Sequence, residues 1–251
     1  MEFLTVKTRA IKPPQDDVYK ILDQYLPSLK EKDIIFITSK ILGIHQGRCI
    51  EIPKGTKEEV RKFKDKLIKE EAESFIPRKK CPGEYVVLTL KENTLIPSAG
   101  IDESNSDGYF VMWPQKPYKL AKEICNYLKK KKKIKNLAVV ITDSHTTPLR
   151  FGISGISVGF FGIEPLKDYR GKKDIFGRIM KISQSNIVDS LADFAVLLMG
   201  EGKEKTPIVI GRNLNFVKFT NKDKHYDLVI PPQMDIYYPL LKNFKKKYNK
   251  K

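Results

Sequence analysis

The chain has 251 residues, of which 41% are hydrophobic and 10% aromatic, so it is long enough for a sizeable core and too apolar for a disordered protein. Its formal net charge of +17 comes mainly from lysines spread through the sequence, with dense runs only at 129–133 and 245–251. Neither run has the interleaved aromatic residues of an RNA-binding platform, so we expect a solvated basic surface and no specific nucleic acid. The second run is predicted to be a frayed tail.

Cysteine usage and the N-terminus bear on the compartment. The three cysteines include no Cys-x-x-Cys pair, which argues against a disulfide framework or a zinc knuckle. Residues 1–7 lack the apolar run of a signal peptide, and no uncharged apolar stretch reaches the roughly 20 residues that span a bilayer. We therefore expect a cytoplasmic protein with no membrane partner.

Hydrophobic periodicity predicts the elements of the first half. A short strand over 2–7 precedes a helix that begins at the paired acids Asp16 and Asp17, and a buried strand follows over 33–38. A capping box at 56–59 opens a helix whose apolar face includes Phe75 and which ends before Pro77. After a basic loop over 78–83, two strands form a hairpin, and these elements lie at 84–90 and 94–98.

The second half continues the irregular alternation of strands and helices. The predicted elements are a strand over 109–113, a helix from Pro117, a buried strand over 136–142 that ends just before Asp143, an irregular glycine-rich stretch over 150–178, an apolar helix over 186–199 capped by Gly200, and a strand over 207–211. This order predicts the α+β class, with mixed, partly antiparallel sheets and flanking helices rather than a regular doubly wound sheet.

The loop over 96–105 carries the first candidate site residues. Small residues, Ser98 to Gly100, precede Asp102 and Asn105, and we interpret them as letting a ligand approach the backbone. On this stretch alone, a turn in which the two polar side chains bond the backbone is the favoured reading. Asp143, at the end of a buried strand, and Glu201, after an apolar helix, are further acids at element ends, and together they suit Mg²⁺ or Mn²⁺. Periodicity does not show that the acids converge.

Other site patterns are missing from the sequence. There is no phosphate-binding loop, no dinucleotide fingerprint and no nucleophile elbow. The histidines, His45, His145 and His225, lie far apart without metal-ligand spacing, so we read them as structural or surface residues.

Several long segments, in order, resemble the coenzyme F420:L-glutamate ligase family of γ-glutamyl ligases. They lie at 38–40, 47–48, 96–105, 140–144, 148–152, 165–171, 177–178 and 199–204. The similarity runs from about residue 16 to residue 212. It implies the two-lobed fold of that family, with a catalytic region over 1–212 and a C-terminal extension over 213–251.

The resemblance implies a GTP-dependent ligase that forms an amide between L-glutamate and an acceptor carboxylate through an acyl phosphate. The implied acceptor is the deazaflavin precursor F420-0. The implied cofactor is Mn²⁺ or Mg²⁺, with GTP as co-substrate and K⁺ as a further candidate ion. The family also suggests a homodimer. Phosphoryl transfer of this kind needs cations and alignment of the acceptor more than covalent help from the protein.

By position, the resemblance also implies roles for individual residues. The metal ligands would be Asp102, Asp143, Ser144 and Glu201. The nucleotide contacts would be Ser39, Lys40, Asn105, Gly200, Gly202, Lys203 and Glu204, and residues 9–12 match a further nucleotide-contacting segment. The predicted catalytic residues are Asp102, Asp143 and Arg150. Substrate binding is assigned to Asp168, Arg170 and Arg178, because arginine holds carboxylates or phosphates bidentately, with pairing of these arginines to Asp168 and Asp174 as an open alternative.

Some positions depart from the family pattern. The run from His145 to Thr147 replaces a common Gly-Arg before Pro148, Gln46 stands where glutamate is usual, and Ile44 falls where some members carry lysine. These changes spare the metal core and leave the acceptor open. Folate is the alternative acceptor, and a non-catalytic nucleotide- or RNA-binding protein is the alternative from another class.

Overall fold

The computed structural model describes residues 1–246. Its strands are β1 (Glu2–Val6), β2 (Asp33–Thr38), β3 (Cys49–Glu51), β4 (Ser74–Ile76), β5 (Leu88–Lys91), β6 (Thr94–Pro97), β7 (Tyr109–Val111), β8 (Leu137–His145), β9 (Ser154–Phe161), β10 (Leu166–Asp168), β11 (Gln184–Asn186), β12 (Ile208–Arg212) and β13 (Lys245–Lys246). Its helices are α1 (Val18–Tyr25), α2 (Ser39–His45), α3 (Lys57–Glu71), α4 (Pro117–Lys132), α5 (Ile187–Met199), α6 (His225–Leu228) and α7 (Tyr238–Leu241). Within this described part, no helix is long and apolar enough to cross a membrane.

A five-stranded mixed sheet forms the centre of the molecule, in the order β1-β12-β2-β8-β9. Only β2 and β8 run parallel, and the other neighbours are antiparallel. Smaller antiparallel sheets join β13-β4-β5-β6, β3-β7 and β10-β11. The predicted α+β class with mixed, partly antiparallel sheets is therefore confirmed.

Both faces of the central sheet are covered, because its inner strands β2, β12 and β8 carry continuous apolar runs. Along β2, Ile35 and Ile37 lie in one core cluster with residues of α1, α2 and α4. Ile34 and Phe36 point the other way, into a second cluster with residues of α5. Successive side chains of a strand face opposite sides, so a continuous apolar run indicates burial on both faces.

A smaller lobe has its own core around α3. The predicted capping box is present, since Thr56 Oγ1 accepts from the Glu59 N–H and Glu59 Oε2 accepts from the Thr56 N–H at 2.8 Å. Leu67 and Ile68 of α3 then pack with Phe110 of β7 in a third cluster. This lobe carries the loop that contains Asp102.

Several predicted boundaries were wrong. The helix after Thr56 ends at Glu71, and Phe75 lies in β4 instead of on the helix face. The first hairpin strand begins at Leu88, because Pro82–Glu84 forms a short 3-10 turn. The strand that was expected to end before Asp143 continues to His145.

The stretch over 150–178 is not irregular throughout, since it contains β9 and β10. Its glycines misled the sequence reading, because glycine is common in loops. Gly155 and Gly159 lie in β9, where a Cβ would come within 2.6 Å of Asp193 Cα in α5 and within 2.7 Å of the Pro117 backbone in α4. The two glycines therefore allow helices to pack closely on both faces of an edge strand.

The chain after β12 stays on the body of the protein. Leu214 and Val217 are buried in the second cluster, and His225 stacks on Tyr118 with ring centroids 3.5 Å apart. The expected frayed tail over 245–251 is only partly described. Residues 245–246 form β13 against β4, and residues 247–251 lie outside the described part of the chain.

Candidate functional site

The strand order brings distant parts of the sequence to one edge of the central sheet. The parallel strands β2 and β8 both end there, and the antiparallel strands make β1 end and β12 begin at the same edge. Backbone bonds from the Thr8 N–H to the Lys205 carbonyl, at 2.9 Å, and from the Thr38 N–H to the Pro207 carbonyl, at 3.1 Å, tie these segments together. Ligands of open sheets commonly bind outside such carboxyl ends.

A cavity of about 570 Å³ opens at this edge, within the usual size range of small-molecule sites. Most of the predicted site residues line it: Lys40, Asp102, Asn105, Asp143, Ser144, Gly200, Glu201, Gly202, Lys203 and Glu204. Residues 9–12, the weak N-terminal match, line it too. The structure thus brings together the acids whose convergence the sequence left open.

Asp102 lies opposite a lysine. Lys40 Nζ is 2.6 Å from Asp102 Oδ2 and also donates to the Ser104 carbonyl at 2.9 Å. The Asp102 carboxylate accepts the Ser104 N–H at 2.8 Å, and Asp102 pairs with Val111 through the backbone. Burial opposes ionisation, but the Lys40 charge and these hydrogen bonds hold the pKa of Asp102 below its usual value.

Asp143 lies beside a register shift in β8, between Ile141 and Thr142. Its Oδ2 accepts from the indole N–H of Trp113, and its Oδ1 accepts the Ser144 N–H at 2.9 Å. Burial raises the pKa of Asp143 to about 6, and the nearby Asp102 charge adds to this increase. A half-buried carboxylate with a raised pKa in a cavity is a typical feature of a functional site.

Glu201 follows the C-terminus of α5, where Gly200 caps the helix as predicted, with φ +72°. Burial raises the pKa of Glu201, Lys40 opposes that increase, and Asp102 and Glu204 add to it. Asn105 connects this loop to the Asp102 loop, since its amide donates to the Gly202 carbonyl at 2.9 Å.

Other predicted residues lie elsewhere. Ser39 is 3% exposed at the start of α2 and does not line the cavity. The exposed loop after β8 carries Arg150. Asp168 and Arg170 form an exposed ion pair at 2.6 Å, which holds the pKa of Asp168 at about 2, and they border a second cavity of about 370 Å³. Arg178 is exposed, and its backbone N–H donates to Asp174. The catalytic and substrate-binding roles of these residues stay predictions.

The interpretation of the small residues before Asp102 was wrong. Ser98 and Ala99 are buried and do not line the cavity, and a Cβ on Gly100 would collide with the indole of Trp113. Gly100 is small because Trp113 occupies the space beside it, not because a ligand does. Trp113 is a site residue that no motif in the sequence predicted. One feature of the sequence could have indicated it: the N–H of a buried tryptophan needs a hydrogen-bond acceptor, and here Asp143 is that acceptor.

Two of the departures from the family pattern lie at different distances from the cavity. Ile44 is 1% exposed and lines it, so an apolar side chain stands where some family members carry lysine. Gln46 does not line it, and instead accepts the Gln115 N–H at 2.6 Å.

Comparisons with known proteins agree with these motifs. A sequence profile of the F420-0:gamma-glutamyl ligase family matches residues 5–213. The coenzyme F420:L-glutamate ligase of Methanocaldococcus jannaschii is 31% identical over 233 residues, which cover 89% of this chain and 90% of that protein. The proteins of the same name from Methanosarcina mazei and Methanopyrus kandleri are 33% identical over 201 residues and 29% identical over 237 residues. These matches cover 75% and 89% of this chain, and 76% and 92% of those two proteins, respectively.

Proposed function

Since the chain belongs to the F420-0:gamma-glutamyl ligase family, we propose that it is a GTP- and divalent-metal-dependent ligase that attaches L-glutamate to F420-0, the precursor of coenzyme F420. The observation that carries the proposal is the convergence of Asp102, Asp143 and Glu201 with Lys40 and Asn105 on one cavity. Acids, a cation and an amide from separate segments are what a metal–nucleotide site requires.

The donor set fits Mg²⁺ or Mn²⁺. Both ions prefer oxygen ligands and combine a few protein carboxylates with substrate phosphates. Asp102, Asp143, Ser144 and Glu201 supply such oxygens. Burial raises the pKa of Asp143 and repulsion from Asp102 adds to the increase, and a bound cation would offset both. In residues 1–246 no group of three or more acidic, histidine or cysteine side chains is arranged to hold a metal ion by itself. The proposed ligand set therefore includes phosphate oxygens of the nucleotide beside the protein oxygens.

The same cavity has complementary groups for a nucleotide. The positive charge of Lys40 can pair with the phosphates of the nucleotide. Asn105 and the loop over 200–204 supply polar groups on the same cavity wall. Ser39, the first residue of α2, directly precedes Lys40 in the chain. K⁺ remains a candidate further ion in this proposal.

The chemistry has two steps. An oxygen of the acceptor carboxylate attacks the γ-phosphorus of GTP, a P–O bond forms, and the bond to the β-phosphate oxygen breaks. The glutamate amine then attacks the acyl carbon, the C–N bond forms, phosphate leaves, and the amine loses its proton. A bound divalent ion would neutralise the charge that develops on the phosphoryl oxygens. Lys40 adds positive charge, and the cavity walls align the reactants.

A homodimer is the proposed assembly. Large apolar side chains project fully into solvent from the segments that carry Arg150 and Arg178: Leu149, Phe151, Ile175 and Phe176 are all more than 90% exposed. Exposed apolar groups of this kind mark interaction surfaces. A second copy covering them would place Arg150, Arg170 and Arg178 at an interface, where they can bind the anionic substrates.

A mass-spectrometric acceptor screen tests the function. The protein is incubated with GTP, Mn²⁺, L-glutamate and either F420-0 or a folate, with ATP for GTP and Na⁺ for K⁺ as further arms. We expect F420-0 to gain a glutamyl unit and phosphate to be released. If only folate gives a product, folate and not F420-0 is the acceptor. No product with any acceptor, together with steeply salt-dependent RNA binding, would support the non-catalytic alternative.

A further inference from the structure

Trp113 has a place in the structure that the proposed reaction does not yet explain. It is the only tryptophan in the chain, it is 1% exposed, and it lies behind the cavity rather than on its wall. Its indole N–H donates to Asp143 Oδ2. An indole N–H is a donor only and carries no charge, so it can hold a carboxylate without neutralising it.

The indole is held from several sides. At its edge stands Gly100, whose φ of +68° and missing Cβ leave the space that the ring fills. Over its face lies Lys91 Nζ, 5.6 Å from the ring centroid. The backbone carbonyl of Trp113 accepts from Arg48 Nε at 2.6 Å. Arg48 and Lys91 meet on Glu71 Oε2, at 2.5 and 2.6 Å, so the groups that hold Trp113 are themselves connected.

The result is a carboxylate with a fixed plane. Oδ2 of Asp143 is bound by Trp113, and Oδ1 is bound by the Ser144 N–H at 2.9 Å. Each oxygen keeps a further lone pair, because a carboxylate has about four acceptor positions. Both donors are uncharged and anchored, so the negative charge and its direction are preserved for a cation.

We propose that Trp113 is a positioning residue that orients Asp143 toward the divalent ion, and that Arg48, Glu71 and Lys91 support it. The inference rests on the metal role proposed above for Asp143. Groups that bind metal ligands from behind commonly change metal affinity 10- to 100-fold when they are removed. A purely structural role predicts something else, since Trp113 also belongs to the first core cluster, and its replacement would then lower stability alone.

The first test is Trp113→Phe, which keeps an aromatic ring and removes the N–H. Mn²⁺ binding is measured by electron paramagnetic resonance, with and without a guanine nucleotide, and the thermal midpoint is recorded for each protein. We expect the Kd for Mn²⁺ to rise about 10- to 100-fold. The matched control is Tyr118→Phe, which removes one polar group from an aromatic residue packed against the second cluster, away from the cavity. It should bind Mn²⁺ like the wild type.

The outcomes separate the two proposals. If folded Trp113→Phe binds Mn²⁺ as tightly as the wild type, Trp113 does not position Asp143, and the metal site stands without it. If the wild type binds no Mn²⁺ with or without a guanine nucleotide, the metal role fails, and the inference fails with it.

A second measurement needs no change to Trp113. The chain has a single indole N–H, so a ¹⁵N-labelled sample gives one indole signal. We expect Mg²⁺ to shift this signal saturably in the wild type and to leave it unmoved in Asp143→Asn. Mg²⁺ binding by calorimetry with an unchanged wild-type indole signal would overturn the inference, even if Trp113→Phe does not fold.

Discussion

Each end of the central sheet carries an acidic residue, and the two acids differ in their hydrogen-bond partners. At one end, Asp33 at the start of β2 is fully buried and pairs with Arg212 through two bonds of 2.9 and 2.8 Å. Asp33 Oδ2 also accepts the Lys30 N–H at 2.8 Å. At the other end, near the C-terminus of β8, Asp143 accepts hydrogen bonds only from uncharged donors of the protein and faces a cavity.

This difference separates a stabilising acid from a candidate functional one. The charge of Asp33 is balanced inside the fold, whereas burial raises the pKa of Asp143 because nothing cationic bonds it directly. A partly buried carboxylate without a cationic partner costs stability, and we interpret it as a group that a ligand completes. The two ends should therefore respond differently to substitution.

The largest effect is expected for Asp143→Asn. Turnover should fall about 10⁴-fold, or about 5.5 kcal/mol of barrier, because a proposed metal ligand is lost. Stability should not fall. An acid whose pKa is raised on folding costs stability when it is ionised, above its unfolded pKa, so the neutral amide should unfold at the same or a higher temperature at pH 8.

Steady-state kinetics and thermal unfolding check this result, with Asp23→Asn as control. Asp23 pairs with Lys131 at the surface, away from the cavity, so its amide variant should keep full activity. If Asp143→Asn stays active, Asp143 is not a functional acid and does not differ from Asp33 in that respect.

The opposite end should show the reverse pattern in Arg212→Met. Breaking a buried pair and leaving one charge unpaired costs about 3–5 kcal/mol. Urea unfolding measures the loss, while the folded fraction should turn over normally. The double variant Asp33→Leu/Arg212→Met removes both charges and should recover most of the loss, apart from the bonds to the Lys30 N–H and the Ser28 carbonyl. Equal instability of the single and double variants would contradict the pairing argument.

Lys40→Met should have a smaller effect, at the cavity only. Loss of the ammonium that bonds Asp102 should raise the KM for GTP about 10- to 100-fold, or about 1.4–2.8 kcal/mol, because charge-assisted contacts to phosphate are lost. The matched control is Lys64→Met, since Lys64 pairs with the neighbouring Glu103 at 3.5 Å but does not line the cavity. Equal changes in the KM of both variants would mean that the effect is general surface charge.

The smallest change in stability is expected for Arg170→Gln. The exposed pair with Asp168 should contribute less than about 1 kcal/mol to the free energy of unfolding. The informative readout is the KM for the acceptor, which should rise if Arg170 binds substrate in the assembled protein. An unchanged KM would leave Arg170 as a surface ion-pair residue.

The proposed homodimer interface adds a third region to the comparison. Phe151→Asp and Phe176→Asp should shift the molar mass measured by light scattering from two copies to one, because a charge cannot be buried against an apolar surface without a partner. Phe194, which is 43% exposed on α5, offers the control Phe194→Asp outside these segments. Identical masses for all three variants would exclude the exposed segments as the interface.

Local patterns predicted the elements best where the sequence signal was continuous. The capping box at Thr56, the apolar run of β2 and the glycine after α5 each specify their own neighbourhood, because capping, burial on two faces and a positive φ depend on adjacent residues. The same reasoning failed for β9. Its glycines are required by helices that pack on it from distant parts of the chain.

The sequence by itself determined the family, the α+β class and the identity of the candidate acids, since motifs in order are visible without coordinates. Only the tertiary structure decided that Asp102, Asp143 and Glu201 share one cavity, because that depends on β12 entering the sheet between β1 and β2. It also decided what the small residues before Asp102 are for. Gly100 leaves space for the indole of Trp113, and the indole N–H in turn donates to Asp143. Contacts between residues so far apart in the chain follow no helical or strand periodicity, so the sequence pattern does not predict them.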